Sequence, residues 1–336
     1  MRIAVLFVFL LTAAAHAGWK NLERVTVSGS EYVRLSEWGE SGGFTMKWNR
    51  KDPGIVLSGP AGRLDFAIDS RRAEIEGVTL WLSLPVVNRG GVALISMTDL
   101  RTTLEPVLFP HKSDARIRTI CLDPGHGGKD TGTSDHRNYE KKYTLLLARE
   151  VEDLLKEEGF KVVLTRTSDA YVELTDRTLT ASRRGADLFV SLHYNAGPAA
   201  VHGVEVYCLA PAGMKSSNEG AGKSSQTAET GNAQDDHNVL LAYEVQKSIT
   251  HDLPLEDGGM KRSRFEVLRD AHMPAILIEG GFMSDPGDAK YIYDSAFRKR
   301  MARAIVDGII GYKRKATTQR PSEPPPDSSK ENSSTR

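Results

Sequence analysis

Three apolar runs of this 336-residue chain end in side chains able to hold a metal ion or to activate water. Ile120-Cys121-Leu122 leads into Asp123-Pro124-Gly125-His126-Gly127-Gly128, and Leu188-Phe189-Val190-Ser191-Leu192 ends at His193. Ala275-Ile276-Leu277-Ile278 ends at Glu279, ahead of Gly280-Gly281, and Glu140 opens the helical segment after the first run. Two imidazoles and a carboxylate suit a catalytic zinc, one ion that keeps its fourth position open for water. A further glutamate can then act as base. Each residue alone also has a plainer reading. Glu140 complements the dipole of a helix start, His126 is a loop histidine, and His193 is a core histidine. Glu279 is harder to dismiss, because a carboxylate directly after Ile-Leu-Ile is costly to bury without a cation or strong donor nearby.

Short, nearly all-apolar runs separated by helical stretches read as strands of a parallel sheet buried on both faces. Strands are expected at 118–122, 162–165, 188–192, 204–209 and 275–278. Helices are expected at 139–158, 174–184 and 238–252, with a final helix carrying Phe297, Met301, Ile305 and Ile309 on one face. The alternation predicts an α/β fold: a three-layer domain with a mainly parallel sheet flanked by helices. Ligands of such sheets bind beyond the carboxyl ends of the strands, which would gather His126, His193 and Glu279 into one crevice.

Before this pattern, residues 18–110 read as a small mostly-β accessory domain. Phe44, Met46 and Trp48, then Leu64, Phe66 and Ile68, alternate with polar neighbours, and glycine-rich turns punctuate the runs. Residues 97–104 suit a short helix. A linker is expected at 111–117 within a proline-bearing polar stretch, the catalytic domain at 118–314, and a disordered tail at 315–336. Residues 211–236, rich in Gly, Ser, Asn and Gln, suit a long loop.

Residues 1–17 have the layout of a signal peptide. Arg2 precedes an apolar core that is short for a membrane span, and Ala15-His16-Ala17 offers a cleavage site. Export to the periplasm or cell envelope is expected, with no stable membrane span after cleavage. Lys+Arg and Asp+Glu both number 44, so the zero net charge gives no support to nucleic-acid binding. The two cysteines, Cys121 and Cys208, sit in apolar runs and read as buried free thiols.

Several segments occur in a telling order: Leu122 to Gly128; Glu140-Lys141; Leu164-Thr165-Arg166; Leu174 to Arg177; Ala186 to His193; Gly203-Val204-Glu205-Val206-Tyr207; and Pro274 to Ser284. Together they resemble the zinc-dependent N-acetylmuramoyl-L-alanine amidases of the type-3 amidase family, over roughly residues 118–312. The resemblance implies that His126, Glu140 and His193 bind zinc and that Glu279 is the catalytic glutamate. The implied substrate is peptidoglycan, glycan strand and stem peptide, cut between the lactyl group of N-acetylmuramic acid and L-alanine. In such chemistry zinc brings the pKa of a bound water towards ~7 and polarises the carbonyl. Glu279 would take the water's proton and deliver it to the leaving nitrogen. Cell-wall remodelling and daughter-cell separation are both compatible roles.

Some positions depart from the family pattern. Tyr194 replaces a small residue and is expected to narrow the groove or alter substrate preference, while Ser182 and Asp285 stand where asparagine is common. His136, four residues before Glu140, is a rival ligand. Arg262 or Arg264 is a candidate for a stem carboxylate, or plain surface arginine. The N-terminal part resembles, in layout, the N-terminal-like domain of copper amine oxidases, which implies a binding or spacing module and not copper. A zinc peptidase cutting within the stem and a non-catalytic wall-binding protein remain alternatives. Need for an activator protein stays open. The 211–236 composition is poor for an inhibitory helix and predicts access without a partner.

Overall fold

The computed structural model describes residues 22–49, 54–135, 137–198, 200–217 and 227–318. The expected signal peptide at 1–17 and residues 319–336 of the expected tail lie outside these.

The N-terminal part comprises β1 (Val25–Val27), β2 (Ser30–Arg34), α1 (Leu35–Ser41), β3 (Thr45–Asn49), β4 (Gly54–Gly59), β5 (Gly62–Ala67), β6 (Ser70–Ile75), β7 (Val78–Arg89) and β8 (Val92–Ser96). The period-2 pattern works as expected inside the sheet, where Leu64 and Phe66 are buried between the more exposed Arg63 and Asp65. It fails at Trp48, which is 39% exposed because β3 ends the strand order and has a neighbour on one side only. The expected short helix begins where Ser96 accepts the Asp99 N–H, but it runs further. This α2 passes from Met97–Asp99 through a π-helical Leu100–Leu104 to Glu105–Leu108. Pro106 supplies no N–H to the preceding turn, and the Thr102 carbonyl four residues before it accepts from Arg262 instead.

The second part comprises β9 (Thr119–Pro124), α3 (Glu140–Glu157), β10 (Lys161–Leu164), α4 (Leu174–Arg183), β11 (Leu188–Asn195), β12 (Val204–Leu209), α5 (Asp235–Asp252), β13 (Asp257–Ser263), α6 (Glu266–Arg269), β14 (Ala275–Phe282), α7 (Pro286–Tyr293) and α8 (Ser295–Ala316). Strand alternation builds two cores, one on each face. Ile120, Leu122, Leu188, Val190, Leu192, Val206, Ile276 and Ile278 point to the side covered by α3, α5 and α8. Cys121, Phe189, Tyr207, Leu209, Ala275 and Leu277 point to the side covered by α4 and α6. Three layers result. Both thiols are free and buried. The long helices α5 and α8 pack closely because Gly308 lacks a side chain; a Cβ there would lie 2.6 Å from the Val245 Cα.

Strand order is β10-β9-β11-β14-β12-β13-β7-β6-β5-β4-β3. Pairs β10/β9, β9/β11, β11/β14 and β12/β13 are parallel, while β12/β14 is antiparallel, so the sheet is mixed. Strand β13 is unexpected from its sequence, Asp-Gly-Gly-Met-Lys-Arg-Ser, which has no apolar run. It is the splice between the two parts. Met260 pairs with Leu80 of β7, the Thr79 N–H donates to Asp257 at 2.7 Å, and the Trp81 indole N–H donates to the Gly258 carbonyl at 3.0 Å. Helix α8 also outruns its expected end. It continues through Lys315 and Ala316, and Thr317 forms a parallel bridge with Ser113.

Candidate metal centre and active-site cleft

The chain leaves β9 through Gly125, His126, Gly127 and Gly128. His126 has φ +61°, a conformation rare for a residue with a side chain, which turns its imidazole back over the strand ends. Gly125 is required by contact, since a Cβ there would sit 2.2 Å from the His193 ring. Parallel pairing then aligns His193 of β11 with Glu279 of β14. Glu140, the first residue of α3, reaches in from above the sheet.

These residues meet. Glu140 Oε1 lies 3.1 Å from His126 Nε2 and 3.0 Å from His193 Nδ1. Each of the three offers a donor atom within 4.8 Å of the other two. Among the described residues no other group of histidine, cysteine or carboxylate side chains converges in this way. The rival His136 lies outside the described residues. Two nitrogens and a carboxylate oxygen around one point are the donor set of a catalytic zinc site, so the residues present fit that ion.

The turn is held by groups whose role the sequence did not announce. Arg177 donates to Asp123 at 2.7 Å, to the Pro124 carbonyl and to the His126 carbonyl, with Arg177 and Asp123 both buried. Arg166 donates to the carbonyls of Pro124, Gly125 and Lys141. Lys141 bridges the Gly128 carbonyl and Asp169, whose other oxygen accepts the Gly128 N–H. Asp130 Oδ2 accepts from His126 Nδ1 at 2.8 Å, which directs Nε2 at Glu140. Glu140 also accepts the backbone N–H groups of Thr133 and Tyr194. A strand end bristling with carbonyls is thus tied down by charged donors, and the two histidines inherit its rigidity.

Electrostatics separate the two glutamates. Burial alone would raise the Glu140 pKa, yet hydrogen bonds and charge from His126 and His193 hold it well below the usual carboxylate range. Burial likewise lowers His126, but contacts with Glu140 and Asp130 outweigh it and raise the imidazole pKa. Glu279 is pushed the other way, by burial first and then by the negative charges of Glu140 and Glu205. The residue borders the cleft, yet its Oε2 is shielded from solvent and has no hydrogen-bond partner. Glu205, opposite Glu279 in the β12/β14 register, is itself satisfied by Lys261, by the Tyr207 hydroxyl at 2.6 Å and by Asn195.

A cleft of about 710 Å³ opens over this centre, and Tyr171, Val172, Leu174, Phe265, Glu266 and Val267 are among the residues that line it. Other candidates are placed elsewhere. Arg262 is fully buried, donating to the Leu209 carbonyl and to Thr102 and Thr103 of α2, so it bolts the two parts together. Arg264 donates to the Pro211 and Met214 carbonyls. Neither lines the cleft. Tyr194 borders the cleft, with a ring that is 3% exposed and packs against Gly280. Asp285 caps α7 through the N–H groups of Gly287 and Asp288, while the buried Ser182 hydroxyl has no partner. Within 211–236, residues 218–226 lie outside the described residues, and 230–234 form a 3₁₀ turn capped by Glu229.

Residues 120–311, more than half of the chain, match the family described as N-acetylmuramoyl-L-alanine amidase (Amidase_3). The chain belongs to this amidase family. Among relatives, a probable cell wall amidase LytH of Staphylococcus epidermidis is 34% identical, over 58% of this chain and 58% of its own. The N-acetylmuramoyl-L-alanine amidase AmiA of Escherichia coli is 29% identical, over 60% of this chain and 78% of its own. The solved structure of amidase AmiC2 of Nostoc punctiforme superposes with a TM-score of 0.50 and 31% identity, covering 60% of this chain and 99% of that one. The amidase match begins with β9 and ends in α8, leaving the β1–β8 part as an addition to the family unit.

Proposed function

We propose that this amidase holds one zinc ion on His126, Glu140 and His193 and hydrolyses the bond between the lactyl group of N-acetylmuramic acid and the L-alanine of the stem peptide. The observation that carries the reading is the convergence of three donor atoms within 4.8 Å beside the shielded, unpartnered Glu279 Oε2. Zinc, when bound, supplies a Lewis acid that polarises the scissile carbonyl and acidifies water. The chain's own groups do the rest. Glu279 takes a proton from the attacking water as the C–O bond forms. It then returns that proton to the amide nitrogen as the C–N bond breaks, leaving a lactyl carboxylate and a free alanine amine. An amide nitrogen leaves poorly without protonation, so a carboxylate with raised proton affinity suits the second step. Val172, Leu174, Phe265 and Val267 add apolar surface to the cleft beside the reacting groups.

The same reading has the chain exported through its residues 1–17 to the periplasm or envelope, where peptidoglycan lies. Residues 18–110 serve as a spacing or wall-binding module. No activator is needed for access to the cleft. Purified peptidoglycan digested with the full chain, with and without a chelator, tests the whole. Mass analysis should give intact stem peptides with a new alanine amine, and only without the chelator. Fragments cut inside the stem would replace this reading with a peptidase, and no digestion of accessible peptidoglycan by zinc-loaded protein would overturn it.

A further inference from the structure

We propose that Lys129, poised over the ring of the cleft-lining Tyr171, binds a carboxylate of the stem peptide and so sets substrate preference. This rests on the amidase reading above.

The other cations near the cleft are already engaged. Arg177, the cation in its lining, is buried on Asp123 and two carbonyls of the turn. Arg166 donates to the carbonyls of Pro124, Gly125, Lys141 and Ser168, Lys141 bridges Asp169 and Gly128, and Lys261 is paired with Glu205. Arg262 and Arg264 are directed at backbone carbonyls away from the cleft. Lys129 is different. It is exposed, makes no ion pair among the described residues, and its Nζ lies 4.2 Å from the centroid of the Tyr171 ring.

The ring holds the ammonium in place without neutralising it. A cation over an aromatic face is attracted by the quadrupole, and the remaining N–H donors still face outward. The nearby acids are otherwise engaged: Asp130 with His126 and the Gly132 N–H, and Glu173 with the Tyr171 hydroxyl at 2.9 Å. The pair also has a fixed address relative to the metal ligands. A Cβ at Gly127 would lie 2.1 Å from the Ala170 carbonyl oxygen, and one at Gly128 would lie 2.7 Å from the Tyr171 nitrogen. The two glycines therefore let the Tyr171 loop lie directly on the His126 turn, and Asp169 pins it there. Tyr171 and Leu174, both in the cleft lining, keep 38% and 47% of their surface exposed. An apolar ledge ending in one free ammonium fits a short peptide with a carboxylate close to the scissile bond.

Two synthetic muramoyl dipeptides, identical except that the second residue carries a free α-carboxylate or its carboxamide, provide the test. With zinc-loaded full chain, kcat/KM should favour the free acid by about fivefold, the scale of one partly exposed charge-assisted contact, and the difference should lie in KM. Lys129→Gln should bring that ratio near unity, and Lys129→Arg should restore most of it. Tyr171→Leu should weaken the preference by loosening the ammonium. A wild-type ratio that survives Lys129→Gln overturns the proposal, as does an equal loss on both substrates. Failure of the wild type to cut either substrate instead overturns the amidase reading, and this one with it.

Discussion

Asp130 Oδ2 sits 2.8 Å from His126 Nδ1, four residues along the same turn, while His126 Nε2 faces Glu140. One imidazole is thereby oriented by a carboxylate on one side and offered to a metal on the other. Removing such an outer partner generally costs metal affinity about 10–100-fold. Asp130→Ala should therefore release zinc to a competing chromogenic chelator at correspondingly lower chelator concentration. Its melting temperature without metal should stay near that of the parent, since the Asp130 side chain is 44% exposed. Unchanged zinc affinity would show that the Asp130 contact does not orient the ligand.

Glu279 has a different signature. Glu279→Gln preserves shape and removes the proton carrier. Zinc content should be retained while turnover of purified peptidoglycan falls by about 10²–10⁴-fold. A folded Glu279→Gln protein with near-normal rates would remove Glu279 from the mechanism. Loss of zinc together with loss of turnover would place it in the ligand shell instead.

The Arg177–Asp123 pair has side-chain exposures of 3% and 1%. Truncating one partner leaves a buried charge uncompensated, at a cost of about 3–5 kcal/mol. Arg177→Met should lower the denaturation midpoint accordingly and loosen the His126 turn, so zinc affinity should fall along with stability. A stable variant with normal zinc binding would show that the carbonyls of the turn are held by Arg166 alone.

At the α5/α8 crossing, Gly308→Ala should destabilise by about 1–3 kcal/mol through overpacking against Val245. Chemical denaturation would read this directly. Metal affinity should not change, because α8 carries none of the ligands.

Much of the second part was legible because its signals are local. All-apolar runs fit strands covered on both faces, and the helix spacing of Tyr143, Leu147, Val151 and Leu155 emerges as the buried face of α3. The π-helical stretch in α2, strand β13 and the late end of α8 were not legible, for a shared reason. Each is stabilised by partners distant in sequence: Thr102 by Arg262, Met260 by Leu80, Thr317 by Ser113. Periodicity carries no information about such pairings. The candidate roles of Arg262 and Arg264 at the cleft failed in the same way, since residue type does not reveal which side of a strand or turn a chain will bury.

By itself the sequence determined that His126, His193 and Glu279 follow apolar strand runs, although β11 and β14 continue past the expected ends to Asn195 and Phe282. It also determined which residue types stood ready for metal and proton chemistry. Tertiary structure alone decided that the donor atoms of His126, Glu140 and His193 would lie within 4.8 Å of one another, that Arg166 and Arg177 would clamp the turn, and that Lys129 would make no ion pair among the described residues. Those outcomes depend on distances between segments far apart in the chain, and such distances exist only once β9, β11 and β14 lie side by side with α3 packed across them.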